Sequence, residues 1–315
     1  MKTNVSVAPV HSSIPLKKKR QWGDVVPYLF ISPWIIGFLL FTLGPLIFSL
    51  VISFFDWPIV GPKKFIGLDN YKTMFTDDPL FWHSLWVTVK FAILFVPLNI
   101  ILALFLAILL NKKVKGSSLF RTFFYVPSVI SGVALAMIWG WVYNGEYGIL
   151  NYILSLFGIT GPDWLNDTTW ALGAMVIASL WGQGTMMLIF LAGLKNIPKD
   201  LYEAAEIDGA GKMYMFFKIT LPLLTPTLLF NIITTIISAF QQLTLALVLT
   251  GGGPLQSTYF YAMYAYENAF KYFKMGYSSA NSWFMFLIVL LLTLLVFKTS
   301  GAWVYYENEV KNKKK

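Results

Sequence analysis

Six stretches of this 315-residue chain carry no charged side chain: 25–55, 91–111, 122–145, 168–194, 219–266 and 275–297. A helix needs about 20 apolar residues to cross ~30 Å of hydrocarbon, and each stretch holds about that many. Composition points the same way. With 57% hydrophobic residues and a mean hydropathy of +0.64, the chain is too apolar for a soluble domain of its length. The expected fold class is all-α, a polytopic membrane protein with six transmembrane helices near 25–54, 87–110, 121–142, 170–194, 223–249 and 280–298. The first is longer than required and holds Pro33, Gly37, Gly44 and Pro45, as in a span that tilts or begins as an interfacial segment.

Basic residues set the orientation. With both termini cytoplasmic, 18 of the 24 Lys and Arg fall on the inner segments and six (Lys63, Lys64, Lys72, Lys90, Lys271, Lys274) outside. The inverted topology reverses that bias. The basic pI is therefore no sign of nucleic-acid binding, because the charge is spread over four inner segments that would lie at anionic lipid headgroups. Residues 1–22 read as a disordered cytoplasmic tail and 23–315 as the six-helix domain. The tail is not read as a cleaved signal, since the apolar stretch after it is too long for an h-region. The chain has no cysteine, which excludes disulfides and thiol chemistry.

Several chemistries find no support. There is no G-x-x-x-x-G-K-[ST], and Gly211-Lys212 is followed by Met213, so no P-loop is expected. His11 and His83 have no helical partner for a metal, and neither H-E-x-x-H nor G-x-S-x-G occurs. No charge lies well inside the six spans, whereas ion-driven carriers keep one at membrane depth. The expected energy source therefore lies outside the bilayer.

Between the fourth and fifth spans lies a polar island, residues 195–226, KNIPKDLYEAAEIDGAGKMYMFFKITLPLLTP. Pro198 suits the first turn of a helix on which Leu201, Ala204, Ala205 and Asp208 share one face. Gly209 supplies a residue able to leave that helix with positive φ. Gly211 opens a second amphipathic turn expected to end before Pro222, with Pro222 and Pro226 separating it from the fifth span. The product is a helix–turn–helix with a small-residue knuckle, held against a membrane surface.

Glu203-Ala204-Ala205, Asp208-Gly209-Ala210, Phe216, Ile219 and Leu221-Pro222 resemble the "EAA" loop of the membrane subunits of binding-protein-dependent ABC importers. Leu249-Thr250-Gly251-Gly252-Gly253-Pro254 resembles the LTGGGP element of the sugar-importing branch. The likeness runs from about Pro27 onward and is closest to six-helix sugar permeases of the maltose and glycerol-3-phosphate type. It implies the type I permease fold and a coupling loop at 195–222, in which Tyr202, Glu203, Ala204, Ala205, Asp208, Gly209, Ala210 and Pro222 meet a cytoplasmic ATPase dimer. It implies further a second, homologous permease subunit, an extracytoplasmic solute-binding protein, and a place in the cell membrane surrounded by lipid. No catalytic residue, metal or cofactor is expected in this chain; ATP and Mg would be bound by the partner ATPase. The rival readings are an ion-coupled secondary carrier and a non-transporting membrane enzyme or scaffold.

On the fifth span Asn231, Thr235, Ser238 and Gln242 recur at i, i+4, i+7, i+11, one face of a helix, with Thr234 and Gln241 flanking. Such groups should not face lipid. They either line a path for a neutral, hydroxyl-rich solute or hydrogen-bond between helices. Gln183 and Thr185, beside Gly182 and Gly184, form a second set of the same kind, although a Gly pair also marks close helix packing. Leu243-Thr244 stands where sugar permeases often have Phe-Asp. The 251–254 turn could seat a binding protein or simply end a span.

Overall fold

A computed structural model describes residues 26–112 and 116–305, so the predicted tail at 1–22 lies outside the described residues. The chain divides into two units, Met1–Ser49 and Leu50–Lys315. In the first, α1 (Val26–Phe38) passes through a π-helical turn at Leu39–Leu43 into α2 (Gly44–Ile52), whose residues from Leu50 on are counted in the second unit. Pro33 lies inside this rod without breaking it. The Gly44 N–H reaches back to the Leu39 carbonyl just before Pro45, so the turn is widened where proline offers no donor.

The second unit starts its outer part with a two-residue antiparallel ribbon, β1 (Phe55–Asp56) on β2 (Lys64–Phe65), and the short α3 (Asp69–Thr76). Then comes α4 (Pro79–Asn111), 33 residues long, with Pro97 inside. It begins well before the expected position 87 because Asp78 caps it, accepting from Leu80 N at 3.0 Å, with proline at N1. At its other end Arg121 donates Nη2 to the Leu110 carbonyl at 3.1 Å, where a helix has carbonyls to spare.

The third span is not the straight helix expected over 121–142. It is α5 (Ser117–Val129) and α6 (Gly132–Val142), bent by 104°. Ile130 and Ser131 are extended, and Ser131 caps the new helix by accepting from Ala134 N at 3.3 Å. At ~1.5 Å per residue, neither piece alone reaches across ~30 Å of hydrocarbon. After α7 (Ile149–Leu156), the fourth span is likewise a pair, α8 (Ala171–Leu180) and α9 (Gly184–Asn196), bent by 49°. The described residues thus hold four helices long enough to cross, and up to six spans if each bent pair is one.

The polar island folds as α10 (Lys199–Ile207) and α11 (Lys212–Met215). The expected stop before Pro222 is absent. A π-turn at Phe216–Thr220 carries α11 straight into α12 (Leu221–Phe240), so Pro222 and Pro226 sit within one helix, Lys212–Phe240. The reason matches that at Pro45. The Leu221 N–H bonds back to the Phe216 carbonyl, and the slipped register accommodates the proline that follows.

The fifth span also ends earlier than expected, at Phe240 instead of 249, and a break separates it from α13 (Thr244–Leu249). The chain continues through α14 (Tyr261–Phe270) to α15 (Met275–Trp303).

α4 is the axis of this unit, packing against α9, α12, α8 and α14. Toward its start the buried cluster is aromatic, with Phe81, Phe91, Tyr143, Phe260, Tyr261 and Tyr264. Asp78 pins this end by accepting from Tyr264 at 2.6 Å and Tyr277 at 2.9 Å. Burial first, and then that hydrogen bond, push the Tyr264 phenol far above its ordinary pKa, so it stays a donor. Toward the other end the core is smaller, with Ala103 and Ala107 of α4 fully buried against Met187, Phe190 and Leu224.

Small residues set the helix spacing. A Cβ on Gly184 would lie 2.5 Å from the Phe124 carbonyl oxygen and 2.6 Å from the Tyr125 Cα, both backbone of α5. Gly184→Ala therefore forces two helices apart, an overpacking cost of about 1–3 kcal/mol. The expected result is a lower unfolding midpoint for the purified protein, and an unchanged midpoint refutes this packing argument.

Candidate functional site

Two places in the second unit could do work. The first is a cavity of about 530 Å³ where α4, the start of α6, the α8–α9 break, α12 and α13 converge. Its walls include Phe95, Leu135, Ile189, Phe230 and Leu245, but its distinctive lining is polar: Asn99, Ser179, Gln183, Thr185, Asn231, Thr234, Thr235, Ser238, Gln242 and Thr244. No charged residue lines it.

Three amides give this cavity its character. Asn99 is 6% exposed, Gln183 9% and Asn231 1%, and they come from three different helical elements. Asn99 Oδ1, Gln183 Oε1 and both amide atoms of Asn231 have no hydrogen-bond partner. A buried polar atom left unpaired costs about 1–3 kcal/mol, so these enclosed amides gain by turning toward any group that hydrogen-bonds within the cavity. The hydroxyls are less available. Thr235 donates to the Asn231 carbonyl at 2.6 Å and Thr234 to Phe230 at 3.0 Å, each leaving lone pairs free to accept.

The structure brings most of the predicted stripe together. Asn231, Thr235, Ser238 and Gln242 all reach the cavity, and so do Gln183 and Thr185. Gln242 arrives by a different route from the one expected, since it lies beyond the end of α12, in the break. There it donates Nε2 to Ser179 Oγ at 3.1 Å, a tie between elements. Gln241, at the helix C-cap, is exposed and does not line the cavity. Sequence reasoning missed Asn99, although a lone amide midway along the apolar run 91–111 was a usable signal. Thr244, noted in the sequence only as part of the Leu243-Thr244 pair and not as a pathway residue, lines the cavity as well.

The second place is the knuckle between α10 and α11. Gly209 has φ +77°; the Ala210 N–H bonds to the Ala205 carbonyl at 2.9 Å and the Gly209 N–H to Glu206 at 3.0 Å. These are the two bonds of a Schellman ending, which needs a left-handed residue where Gly209 stands. Glu203, Ala204, Asp208 and Gly209 are exposed, while Ala205 and Ala210 are half-buried. Tyr202 anchors the hairpin, its hydroxyl 2.8 Å from Thr220 Oγ1. Pro198 is the N-cap, one position ahead of the expected first turn. Pro222 is away from the knuckle, inside α12.

The 251–254 turn follows α13. Gly251 and Gly252 have φ +60° and +84°, and Thr258 Oγ1, 2.7 Å from Thr250 Oγ1, donates to the Gly253 carbonyl at 2.7 Å. Beyond it Leu255 is 89% exposed.

With this architecture in view, comparison with known proteins is direct. Residues 99–306 match the family described as binding-protein-dependent transport system inner membrane component. The chain is 46% identical to a probable ABC transporter permease protein, YesP, of Bacillus subtilis, over 93% of this chain and 97% of that one. It is 38% identical to the trehalose/maltose transport system permease protein MalF of Thermococcus litoralis, over 86% and 92% of the two chains. The sulfoquinovosyl glycerol transport system permease protein SmoG of Agrobacterium fabrum is 36% identical, over 88% and 92%. In fold the chain is similar to a subunit in the crystal structure of a bacterial alginate ABC transporter, with TM-score 0.79 at 22% identity, over 90% of this chain and 97% of that one. With four to six apolar crossings among the described residues and an uncharged cavity studded with amides and hydroxyls, the chain is a transport subunit and not an enzyme: it belongs to the binding-protein-dependent inner membrane components, the multi-pass permeases of ABC transporters.

Proposed function

We propose that this permease is one half of a heteromeric pore that imports a sugar or sugar-like solute by alternating access. ATP is hydrolysed by separate subunits docked at Tyr202–Gly211, and an extracytoplasmic binding protein delivers the solute near the exposed Leu255 turn. The observation that carries the solute class is a cavity lined by ten amide and hydroxyl residues and by no charged one. A polyhydroxylated solute supplies both donors and acceptors to such a site and needs no counter-ion. The trehalose/maltose permease among the relatives supports the same class.

The coupling reading rests on shape and on resemblance. The exposed Ala204 and Gly209 permit close backbone approach by a partner cleft. A proton-coupled carrier would need a titratable group at membrane depth, and the cavity offers none.

The test is uptake of labelled maltose, trehalose or lactose into proteoliposomes holding this chain with its companion permease, ATPase and binding protein. Uptake should require internal ATP and persist when an ionophore collapses ion gradients. Uptake by this chain alone, abolished by the ionophore and indifferent to ATP, would overturn the proposal in favour of a secondary carrier.

A further inference from the structure

One side chain in the cavity belongs to neither its polar nor its apolar set. Met186, in the first turn of α9, is half-buried and lines the space beside Asn99 and Asn231. Asn99 donates Nδ2 to the Met186 sulfur at 3.7 Å. The Thr235 hydroxyl, whose proton goes to the Asn231 carbonyl, lies 4.0 Å from the same sulfur. A thioether is a weak acceptor, and methionine has three flexible bonds with which to move aside. One N–H of the Asn99 amide is therefore held by a weak acceptor while its Oδ1 goes unpartnered.

We propose that Met186 is a displaceable placeholder: its sulfur occupies one N–H of Asn99, and a hydroxyl or ring oxygen of the solute takes its place. The incoming oxygen accepts from Asn99 Nδ2, and its proton, or that of a neighbouring hydroxyl, goes to Asn99 Oδ1 or Asn231 Oδ1. The ligand class is an uncharged vicinal polyol, whose adjacent hydroxyls present acceptor and donor together. Met186 is then a specificity-determining residue, because a solute with an apolar group at this point displaces the sulfur without replacing its hydrogen bond. This assignment rests on the sugar-import reading above and adds to it the end of the cavity where recognition is made.

The placeholder competes with the solute, and that sets the direction of the test. Met186→Leu keeps the volume but removes the competing acceptor, so affinity should rise. Met186→Gln installs a strong acceptor, so affinity should fall. The measurement is the dissociation constant of maltose, trehalose and lactose for the complete complex in nanodiscs, by saturation-transfer NMR, with uptake by the wild-type complex measured in parallel. For whichever sugar is taken up, Met186→Leu should bind about two- to tenfold tighter and Met186→Gln more weakly by a similar factor, the range of one modest hydrogen bond. The ¹³C-methyl signal of Met186 should also shift as that sugar is added. Uptake by the wild type with equal dissociation constants in all three proteins and an unmoved methyl signal overturns the Met186 assignment alone. Absence of uptake of any of the sugars defeats the reading it rests on, and the assignment with it.

Discussion

A Gly209→Trp variant should insert and fold normally yet lose solute uptake by about a hundredfold or more, equivalent to about 2.7 kcal/mol of coupling. The argument has two parts. Gly209 holds φ +77°, where a side chain costs roughly 1–2 kcal/mol, a strain confined to one exposed turn. A Cβ placed there meets nothing within 4 Å, so the new side chain starts into open space at an exposed turn. What it does obstruct is any partner surface that closes on the knuckle. Gly209→Ala separates the two effects, since it carries the strain without the bulk, and it should retain most of the uptake. Transport by reconstituted complexes, together with co-purification of the ATPase, checks both variants. Wild-type uptake in the tryptophan variant would remove the knuckle from the coupling path.

Asn231→Leu is the second large expectation, with uptake falling about ten- to a hundredfold while the complex assembles as before. Asn231 is 1% exposed and neither end of its amide has a partner, so replacing it by an apolar residue removes an unsatisfied group. The folded chain should be no less stable, because buried polar atoms without partners are a cost. The solute loses contacts that the cavity was built to make, and sites that hydrogen-bond a hydroxyl discriminate strongly when that pairing is lost. Gln242→Leu makes the useful contrast. Gln242 ties the α12–α13 break to Ser179, so its loss should weaken packing as well as transport. If Asn231→Leu damages assembly instead of uptake, the amide is interhelical glue and the cavity loses its main recognition group.

Features of this chain are legible in its sequence to the extent that the interactions behind them are local. The spans were legible because crossing hydrocarbon demands a run of apolar residues, and such a run is visible directly in the sequence. The Gly209 ending was legible for a related reason. A Schellman motif is closed by hydrogen bonds among residues 205–210, all local in the chain. Helix periodicity placed Asn231, Thr235 and Ser238 on one face, and α12 is regular over that stretch.

Other features escaped because distant contacts decide them. Pro222 looked like a stop, but the π-turn before it, followed by packing of α12 against α4 and α9, keeps the helix intact. The fifth span ends at Phe240 while the hydropathy runs on, because α13 turns away to pack on α6. The 104° bend at Ile130 and Ser131 leaves only a serine cap as its local trace.

The sequence by itself determined the membrane class, the approximate crossings, their orientation and the polar knuckle, since each depends on composition or on near neighbours along the chain. Only the tertiary structure decided the cavity. Asn99, Gln183 and Asn231 are separated by 84 and 48 residues, and no local periodicity links three helices that meet only when packed. The tertiary structure also decided that Gln241 stays outside while Gln242 turns in, because a helix ends where its neighbours leave it room to end.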